Sequence, residues 1–276
     1  MSIHNHLVVS TILLAVFSSP VFAQPVAETG TAVSTDFSAQ ELAKLKQNPV
    51  SGLRQSILTA NVSPDVPDSD DSLNAYSLQL VWPFALNEDW RLITYSILPL
   101  IDLPGVAGQD STTGLGNTLL NFFVSPQEAG NFVWGAGAAV SLPTHSEPEL
   151  GSDSAGLGPT AVLFYAKDAW SAGVVLQNVW STDGSSDDEF NVFGAQYIFN
   201  YNLNDGWYLY SNATITADWE ADSGNCWTVP VGGGAGKIFN IGEQPLSASF
   251  QLLSNVEKPD GAPDWGWNFQ LAVLFP

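Results

Sequence analysis

Hydrophobic and polar residues alternate along most of this chain, and the alternation is clearest at the C-terminal end. From Trp265 to Phe275 every odd position is aromatic or aliphatic, whereas the even positions are mostly small or polar. Successive side chains of a β-strand point to opposite faces of a sheet, so a period of two predicts a strand with one apolar face.

The same alternation recurs upstream and predicts twelve strands in all. Their approximate ranges are 54–62, 73–84, 90–101, 113–124, 131–144, 155–166, 169–181, 190–202, 206–219, 225–239, 245–256 and 265–275. The connections alternate between a short class, such as 167–168, and a longer acidic class, such as 145–154. Short turns at one end and longer loops at the other are typical of outer-membrane β-barrels.

Tryptophans at both ends of predicted strands support this interpretation. Trp207 and Trp219 flank one strand, and Trp170 and Trp180 flank another. Twelve residue steps of ~3.3 Å, tilted by ~45°, cover roughly 28 Å, close to the ~25 Å apolar band of membrane barrels. The predicted fold is all-β, a transmembrane antiparallel up-and-down β-barrel of about twelve strands with a short N-terminal helix.

The chain divides into three predicted segments. Residues 1–23 are typical of a secretory signal peptide, with a short apolar run and a small-x-small cleavage pattern at 21–23. Residues 24–50 form an N-terminal periplasmic segment, where Ser38 and Glu41 make a capping box that begins a helix over 38–47. That helix either lies solvated in the periplasm or plugs the barrel. Residues 51–276 form the barrel itself.

The net charge of the chain indicates which classes of partner it can bind. The formal net charge is −21, from 28 acidic and 7 basic residues, and most of the acidic residues fall in the longer loops. An even strand number places both termini in the periplasm and this acidic rim outside a Gram-negative cell. Such a surface repels nucleic acid and attracts divalent cations, which would bridge it to lipopolysaccharide and outer-membrane lipid. Cys226 is the single cysteine, so an intrachain disulfide is excluded.

The polar face of the predicted strands would line the lumen. Its predicted members are Ser77, Gln79, Thr94, Ser96, Gln177, Gln196, Asn200, Tyr208, Tyr210, Asn212, Thr214, Thr216, Asn268 and Gln270. These side chains form hydrogen bonds and are neutral, and the selectivity of a pore follows the groups that line it. The pattern therefore favours a passage for uncharged solutes.

Two acidic clusters in the long loops are candidate metal ligands. They are Asp68, Asp70 and Asp71 in one loop, and Asp187, Asp188 and Glu189 in another. Carboxylate oxygens are ligands that Ca²⁺ and Mg²⁺ prefer, but the spacing does not match the twelve-residue calcium loop. We expect weak, shared binding of these ions, or else a solvated acidic loop, and no other cofactor.

No catalytic residues are predicted. Gly232–Lys237 resembles a phosphate-binding loop, but Ile238 stands where that motif needs Ser or Thr. A hydrolase needs a base beside its nucleophile, and His145, next to Ser146, is the one histidine outside the predicted signal peptide. Adjacent residues rarely form a working triad, so a barrel hydrolase is only an alternative.

Several stretches carry a family resemblance over roughly residues 40–276. They are 114–126, 200–208, 215–224, 227–239 and 259–265. Together they resemble bacterial outer-membrane barrel proteins commonly labelled "transporter" or "neuromedin U", which are similar to the barrel family named after the phenol-degradation meta-pathway. The resemblance implies a barrel and, loosely, small-molecule transport. As for any such barrel, we expect the barrel-insertion machinery to be a partner. The resemblance supplies no catalytic residues.

The sequence thus predicts an outer-membrane barrel that is a passive channel or facilitator for small uncharged or apolar solutes. The alternative from another class is a closed structural or surface-adhesion barrel, in which only the acidic outer loops are active.

Overall fold

A computed structural model describes residues 37–106, 110–128, 130–183 and 189–276. The predicted signal peptide lies outside the described residues. The helix and strands are α1 Ala39–Gln47, β1 Arg54–Ser63, β2 Leu73–Ala85, β3 Trp90–Leu103, β4 Thr112–Leu115, β5 Thr118–Pro126, β6 Phe132–Leu142, β7 Gly156–Lys167, β8 Trp170–Ser181, β9 Asn191–Asn202, β10 Trp207–Asp218, β11 Trp227–Ile241, β12 Gln244–Glu257 and β13 Trp265–Phe275.

The strands form one closed antiparallel barrel. Neighbours in the sequence pair with each other, and β1 also pairs with β13, from Arg54 opposite Phe275 to Val62 opposite Trp267. Because β4 and β5 both pair with β3, they are two halves of one strand position, and the barrel has twelve positions. The predicted closed barrel is confirmed. We call its two ends the short-turn end, which holds turns such as 168–169, and the long-loop end.

The fourth predicted strand is interrupted at Gly116 and Asn117. The loop after β6 packs into this break, where the Thr144 hydroxyl donates to the carbonyl of Gly116 (3.1 Å) and the Leu115 N–H donates to the Ser146 hydroxyl (2.9 Å). A Cβ atom at Gly116 would lie 3.1 Å from the carbonyl oxygen of Leu150. Glycine permits this close approach, which the sequence pattern did not show.

Large apolar side chains cover the outer face of the barrel, as they do where a barrel meets lipid. Trp170, Trp180, Trp207 and Trp219 are all exposed near strand ends. One polar residue on this face, Asn178, accepts a hydrogen bond from the Trp219 indole nitrogen (2.9 Å) and donates one to a neighbouring side chain. Trp219 thus supplies a hydrogen bond to Asn178, the polar residue that interrupts the apolar outer face of β8.

The predicted helix is confirmed as α1. Ser38 is its N-cap in extended conformation, and the Ser38 and Glu41 side chains make the two reciprocal bonds of a capping box. Asn48, also extended, ends the helix. No helix within the described ranges is long and apolar enough to cross a membrane.

Candidate functional site in the barrel interior

Strand register decides which side chains face the interior. Since side chains alternate along a strand, each residue shares the face of its direct partners on the neighbouring strands. By this criterion most of the predicted lumen residues do face inward, namely Ser77, Gln79, Gln177, Gln196, Asn200, Tyr208, Tyr210, Asn212, Thr214, Thr216, Asn268 and Gln270.

Thr94 and Ser96 are a correction, because both lie on the outer face. Thr94 pairs with Trp82, whose carbonyl accepts its hydroxyl proton, and Ser96 pairs with Leu80. Tyr95, between them, points inward. Apolar residues occur on both faces of β3, so its sequence does not reveal which face is inside.

The inward polar side chains bond to one another. The Tyr95 hydroxyl donates to Gln79 Oε1 (2.7 Å), and the Gln79 amide donates to Thr59 Oγ1 (3.2 Å) and Ser77 Oγ (3.1 Å). Across the barrel, the Gln196 amide donates to Asn212 Oδ1 (3.0 Å). These networks are neutral and largely satisfy themselves, so the wall presents amide and hydroxyl groups without fixed charge.

Charged residues on the described strands lie near strand ends. Arg91 is the second residue of β3 and Asp218 the last of β10. Lys237 lies farther into its strand but faces outward, with its ammonium 4.9 Å from the centre of the Trp207 ring. The middle of the inner wall is therefore uncharged.

An apolar belt lines the half of the interior nearer the short-turn end, and sequence analysis missed it. Its inward members, all buried, are Ile57, Val81, Ile93, Phe123, Val133, Val162, Phe164, Val175, Ile198, Tyr208, Tyr210, Ile238, Ala272 and Leu274. Nearer the long-loop end, by contrast, Thr214 is exposed on the inner face of β10. On strands such as β7, apolar residues of the belt face inward and other apolar residues face outward. The strand therefore shows no alternation of apolar and polar residues, and the sequence pattern could not reveal the belt.

Helix α1 lies inside the short-turn end. Leu42 and Ala43 are buried against Tyr208, Tyr210 and Leu274 of the belt. The Lys46 ammonium lies 5.5 Å from the centre of the Tyr208 ring. Of the two placements that the sequence allowed for this helix, solvated in the periplasm or plugging the barrel, the structure has the plug.

One glutamine anchors this plug to the wall. Gln47 donates to Asn202 Oδ1 (2.8 Å), and its own side-chain oxygen accepts from Ser171 (3.1 Å) and Asn202 (3.1 Å). A cavity of about 260 Å³ lies beside α1, lined by residues that include Lys44, Asn48 and Arg91.

The candidate metal ligands that the structure describes form no metal site. Asp68, Asp70 and Asp71 lie in the loop after β1, Glu189 precedes β9, and Asp187 and Asp188 lie outside the described residues. The described part of the chain contains no group of three or more His, Cys, Asp or Glu side chains placed to hold a metal ion. Ca²⁺ or Mg²⁺ binding at the loops stays a prediction.

The two features considered for catalysis or phosphate binding, His145 and the glycine-rich stretch, have structural roles instead. The His145 ring lies 2.9 Å from Asn117 Oδ1 and 3.2 Å from an Asp153 carboxylate oxygen, which holds the loop after β6 against the β4–β5 break. The glycine-rich stretch 232–237 lies within β11, not in a phosphate-binding loop before a helix.

Comparison with known proteins agrees with this architecture. The family described as "Putative MetA-pathway of phenol degradation" matches residues 56–271. An outer membrane channel from Pseudomonas putida F1 is 18% identical, with a TM-score of 0.64 over 81% of this chain and 96% of that one. The NanC porin is 10% identical, with a TM-score of 0.51 over 81% and 99%. No curated protein matches the chain.

Proposed function

The chain belongs to the family described as a putative MetA-pathway of phenol degradation, as the resemblance predicted, and we propose that it is an outer-membrane channel for small uncharged or apolar solutes. The observation that carries this proposal is the neutral inner wall, which combines hydrogen-bonded amides and hydroxyls with an apolar belt. A wall without fixed charge gives neither cations nor anions a Coulombic advantage, and it accommodates neutral molecules that form hydrogen bonds or contact apolar surface.

Orientation follows from the lengths of the connections. Membrane barrels of this kind have short periplasmic turns and longer external loops. The short-turn end, with α1 inside it, would then face the periplasm, and the acidic loops would face outward. A solute arriving from outside would first meet the long-loop half of the interior, where polar side chains such as Thr214 lie together with an apolar cluster of Leu119, Ala139 and Val179, and it would meet the apolar belt second.

Liposome swelling tests the proposed selectivity. Purified barrel in liposomes should admit neutral solutes faster than ions of equal size. A matched variant, Gln196→Glu, places a carboxylate on the inner wall where Gln196 now donates to Asn212. It should raise cation flux. The control is Gln196→Asn, which keeps an uncharged amide at the same position. Ala195→Glu is unsuitable as a control, because that side chain faces lipid. Faster passage of ions than of neutral solutes in the wild type would contradict the proposal.

The plug favours a second candidate, a closed structural or adhesion barrel. Leu42, Ala43 and Gln47 are buried against the wall at the short-turn end, and a cavity of about 260 Å³ lies beside α1. Liposome swelling with a small neutral sugar separates the two functions when it is measured with the mature chain and after deletion of residues 24–50. Swelling that appears or grows after the deletion supports a channel. No swelling with either form favours the structural barrel.

A further inference from the structure

Basic side chains are concentrated at the short-turn end of the barrel. Six of the seven basic residues of the chain lie on α1 or towards the short-turn ends of strands, namely Lys44, Lys46, Arg54, Arg91, Lys167 and Lys237. Acidic residues such as Glu88 and Asp89 accompany them there, so this end is close to neutral, whereas the long loops are strongly acidic. An anion is therefore repelled least at the short-turn end.

The cavity beside α1 brings two of these bases together. Lys44 of α1 and Arg91 of β3 both line it, and no Asp or Glu is among its lining residues. Arg91 faces inward, since it pairs with the buried Ser125 and lies two residues before the inward Ile93. Within the described part of the chain, no carboxylate lies within 4.0 Å of either base. Two positive charges thus face one cavity that has no acidic side chain in its lining.

Among the described residues, the Arg91 guanidinium also has hydrogen-bond donors without a partner. Its Nη2 donates to the carbonyl of Gln127, which fixes the group against the turn after β5. Its Nε is buried and makes no hydrogen bond within the described ranges. Gly52 approaches the other side of the group, because an added Cβ atom there would lie 3.1 Å from Nη1. A guanidinium held in one orientation with N–H groups to spare is suited to a carboxylate.

The remaining wall of the cavity is mainly apolar. Val133 and Phe164 of the apolar belt line it together with Val50, and all three side chains are buried. At the ~30 Å³ that a water molecule occupies in the liquid, the cavity of about 260 Å³ equals roughly nine molecules of water. This space suits a small molecule with a charged head and a short apolar body.

We propose that the cavity binds a small organic monocarboxylate. The carboxylate lies between Lys44 and Arg91, where it offsets two like charges, and the apolar body lies against Val50, Val133 and Phe164. Because Lys44 belongs to α1 and Arg91 to β3, the bound molecule links the plug to the wall, in addition to the Gln47 anchor. This inference goes beyond the proposed channel function, since binding requires no passage through the barrel.

Three probes separate the contributions of charge and apolar contact. Pentanoate carries both parts, pentanamide has nearly the same shape without the charge, and inorganic phosphate has charge without the apolar body. Saturation-transfer NMR with the mature protein in phosphatidylcholine nanodiscs, at neutral pH, gives the dissociation constant of each probe. We expect pentanoate to bind roughly tenfold more tightly than either of the others, because hydrogen bonds between ionised groups are about twice as strong as neutral ones.

Single substitutions locate the binding site. Arg91→Gln should weaken pentanoate binding roughly tenfold, and Lys44→Gln, at an exposed position, roughly threefold. The matched control is Lys167→Gln, which removes a base at the same end of the barrel but outside the cavity lining, and it should change nothing. Pentanamide binding should be the same in all variants, whereas a damaged cavity would lower it too. Heat-modifiable migration on gels reports folding.

The link between plug and wall has its own measurement. In a Cys226→Ser background, a spin label on Gln40→Cys reports the mobility of α1. Saturating pentanoate should lower this mobility, and it should have no effect once Arg91→Gln is added. Unchanged mobility in both proteins would contradict the link.

The binding outcomes separate this inference from the proposed function. Equal affinities for pentanoate and pentanamide would overturn the carboxylate site, as would equal pentanoate affinity in the wild type and Arg91→Gln. Phosphate that binds as tightly as pentanoate would also overturn it, because it would indicate a site for any anion. None of these results bears on the channel, which liposome swelling with neutral solutes decides. A protein that binds pentanoate as expected and passes no neutral solute would overturn the channel function alone.

Discussion

Single hydroxyl groups complete the hydrogen bonding of the barrel wall where the pairing of β10 with β11 is interrupted, at residues 211–215 and 229–233. Tyr197 and Ser211 lie on the outer face, and each donates to a carbonyl of β11 that has no backbone partner on β10. An unsatisfied backbone group is costly in an apolar environment, so these side chains should matter more than surface hydroxyls usually do.

Removing one such hydroxyl should destabilise the barrel. We expect Tyr197→Phe to lower the free energy of unfolding by about 1–3 kcal/mol, because it leaves the Pro230 carbonyl unsatisfied. The measurement is urea unfolding in lipid vesicles, followed by tryptophan fluorescence. Tyr165→Phe is the control, since Tyr165 also lies on the outer face and its hydroxyl makes no hydrogen bond within the described ranges. Equal stability of the two variants would contradict the role of Tyr197.

At the level of elements, α1 is held at its beginning by its capping box. The Glu41 carboxylate accepts from the Ser38 hydroxyl (2.7 Å) and from the Ser38 N–H (2.8 Å). These two hydrogen bonds from Ser38 hold the pKa of Glu41 below its ordinary value of 4.5. A pKa that is lowered by folding means that the ionised group contributes stability above the ordinary value, and that this contribution is lost as the pH falls through the lowered value.

Acid should therefore loosen the start of α1. A spin label on Gln40→Cys, in a Cys226→Ser background, should gain mobility as the pH drops from about 6 to about 3, because protonated Glu41 no longer accepts both bonds. Electron paramagnetic resonance measures this mobility at any pH. The control is Glu41→Gln, in which the titrating group is absent and the mobility should not change below pH 5 or so. A label that titrates identically in both proteins would show that Glu41 does not control the helix start.

At the scale of the whole molecule, charge is separated from the membrane-facing wall. The chain carries 28 acidic residues, most of them in the long loops, while the charged residues of the described strands lie mainly near strand ends. Neighbouring carboxylates within one loop repel each other, because the Debye length is ~8 Å at physiological salt. Lys258, paired with Asp264 at 3.1 Å, offsets little of this charge.

Divalent cations should relieve this repulsion and bridge the loops to lipid phosphates. We expect a chelator to lower the melting temperature of the barrel in lipopolysaccharide-containing membranes, since hard cations bind carboxylate oxygen. Replacing Asp68, Asp70, Asp71, Asp187 and Asp188 by Asn should remove most of that sensitivity. Replacing Glu88, Asp89 and Glu243, at the short-turn end, by their amides is the control and should leave it unchanged. Identical melting of the wild type with calcium and with chelator would mean that the loop carboxylates are only solvated.

The sequence by itself determined the parts of this protein that depend on local periodicity and local hydrogen bonds. Alternation located the twelve strand positions, because the β-strand period is a property of each segment alone. The Ser38–Glu41 capping box located α1 for the same reason, since its bonds span three residues. Most of the predicted lumen residues face inward because polar residues alternate with apolar ones along their strands.

Only the tertiary structure decided the features that depend on partners far away in the chain. Thr94 and Ser96 face outward because of their register with β2 and β5, and the break at Gly116 depends on a loop after β6. The place of α1 inside the barrel depends on its contacts with β10, β11 and β13. The interrupted pairing of β10 with β11, where residues 211–215 and 229–233 are not paired, is the clearest case, because Pro230 and the glycines after it are visible in the sequence. Their effect could not, since it required knowing that β10 is the neighbouring strand and that Tyr197, Ser211 and Gln251 supply the missing hydrogen bonds.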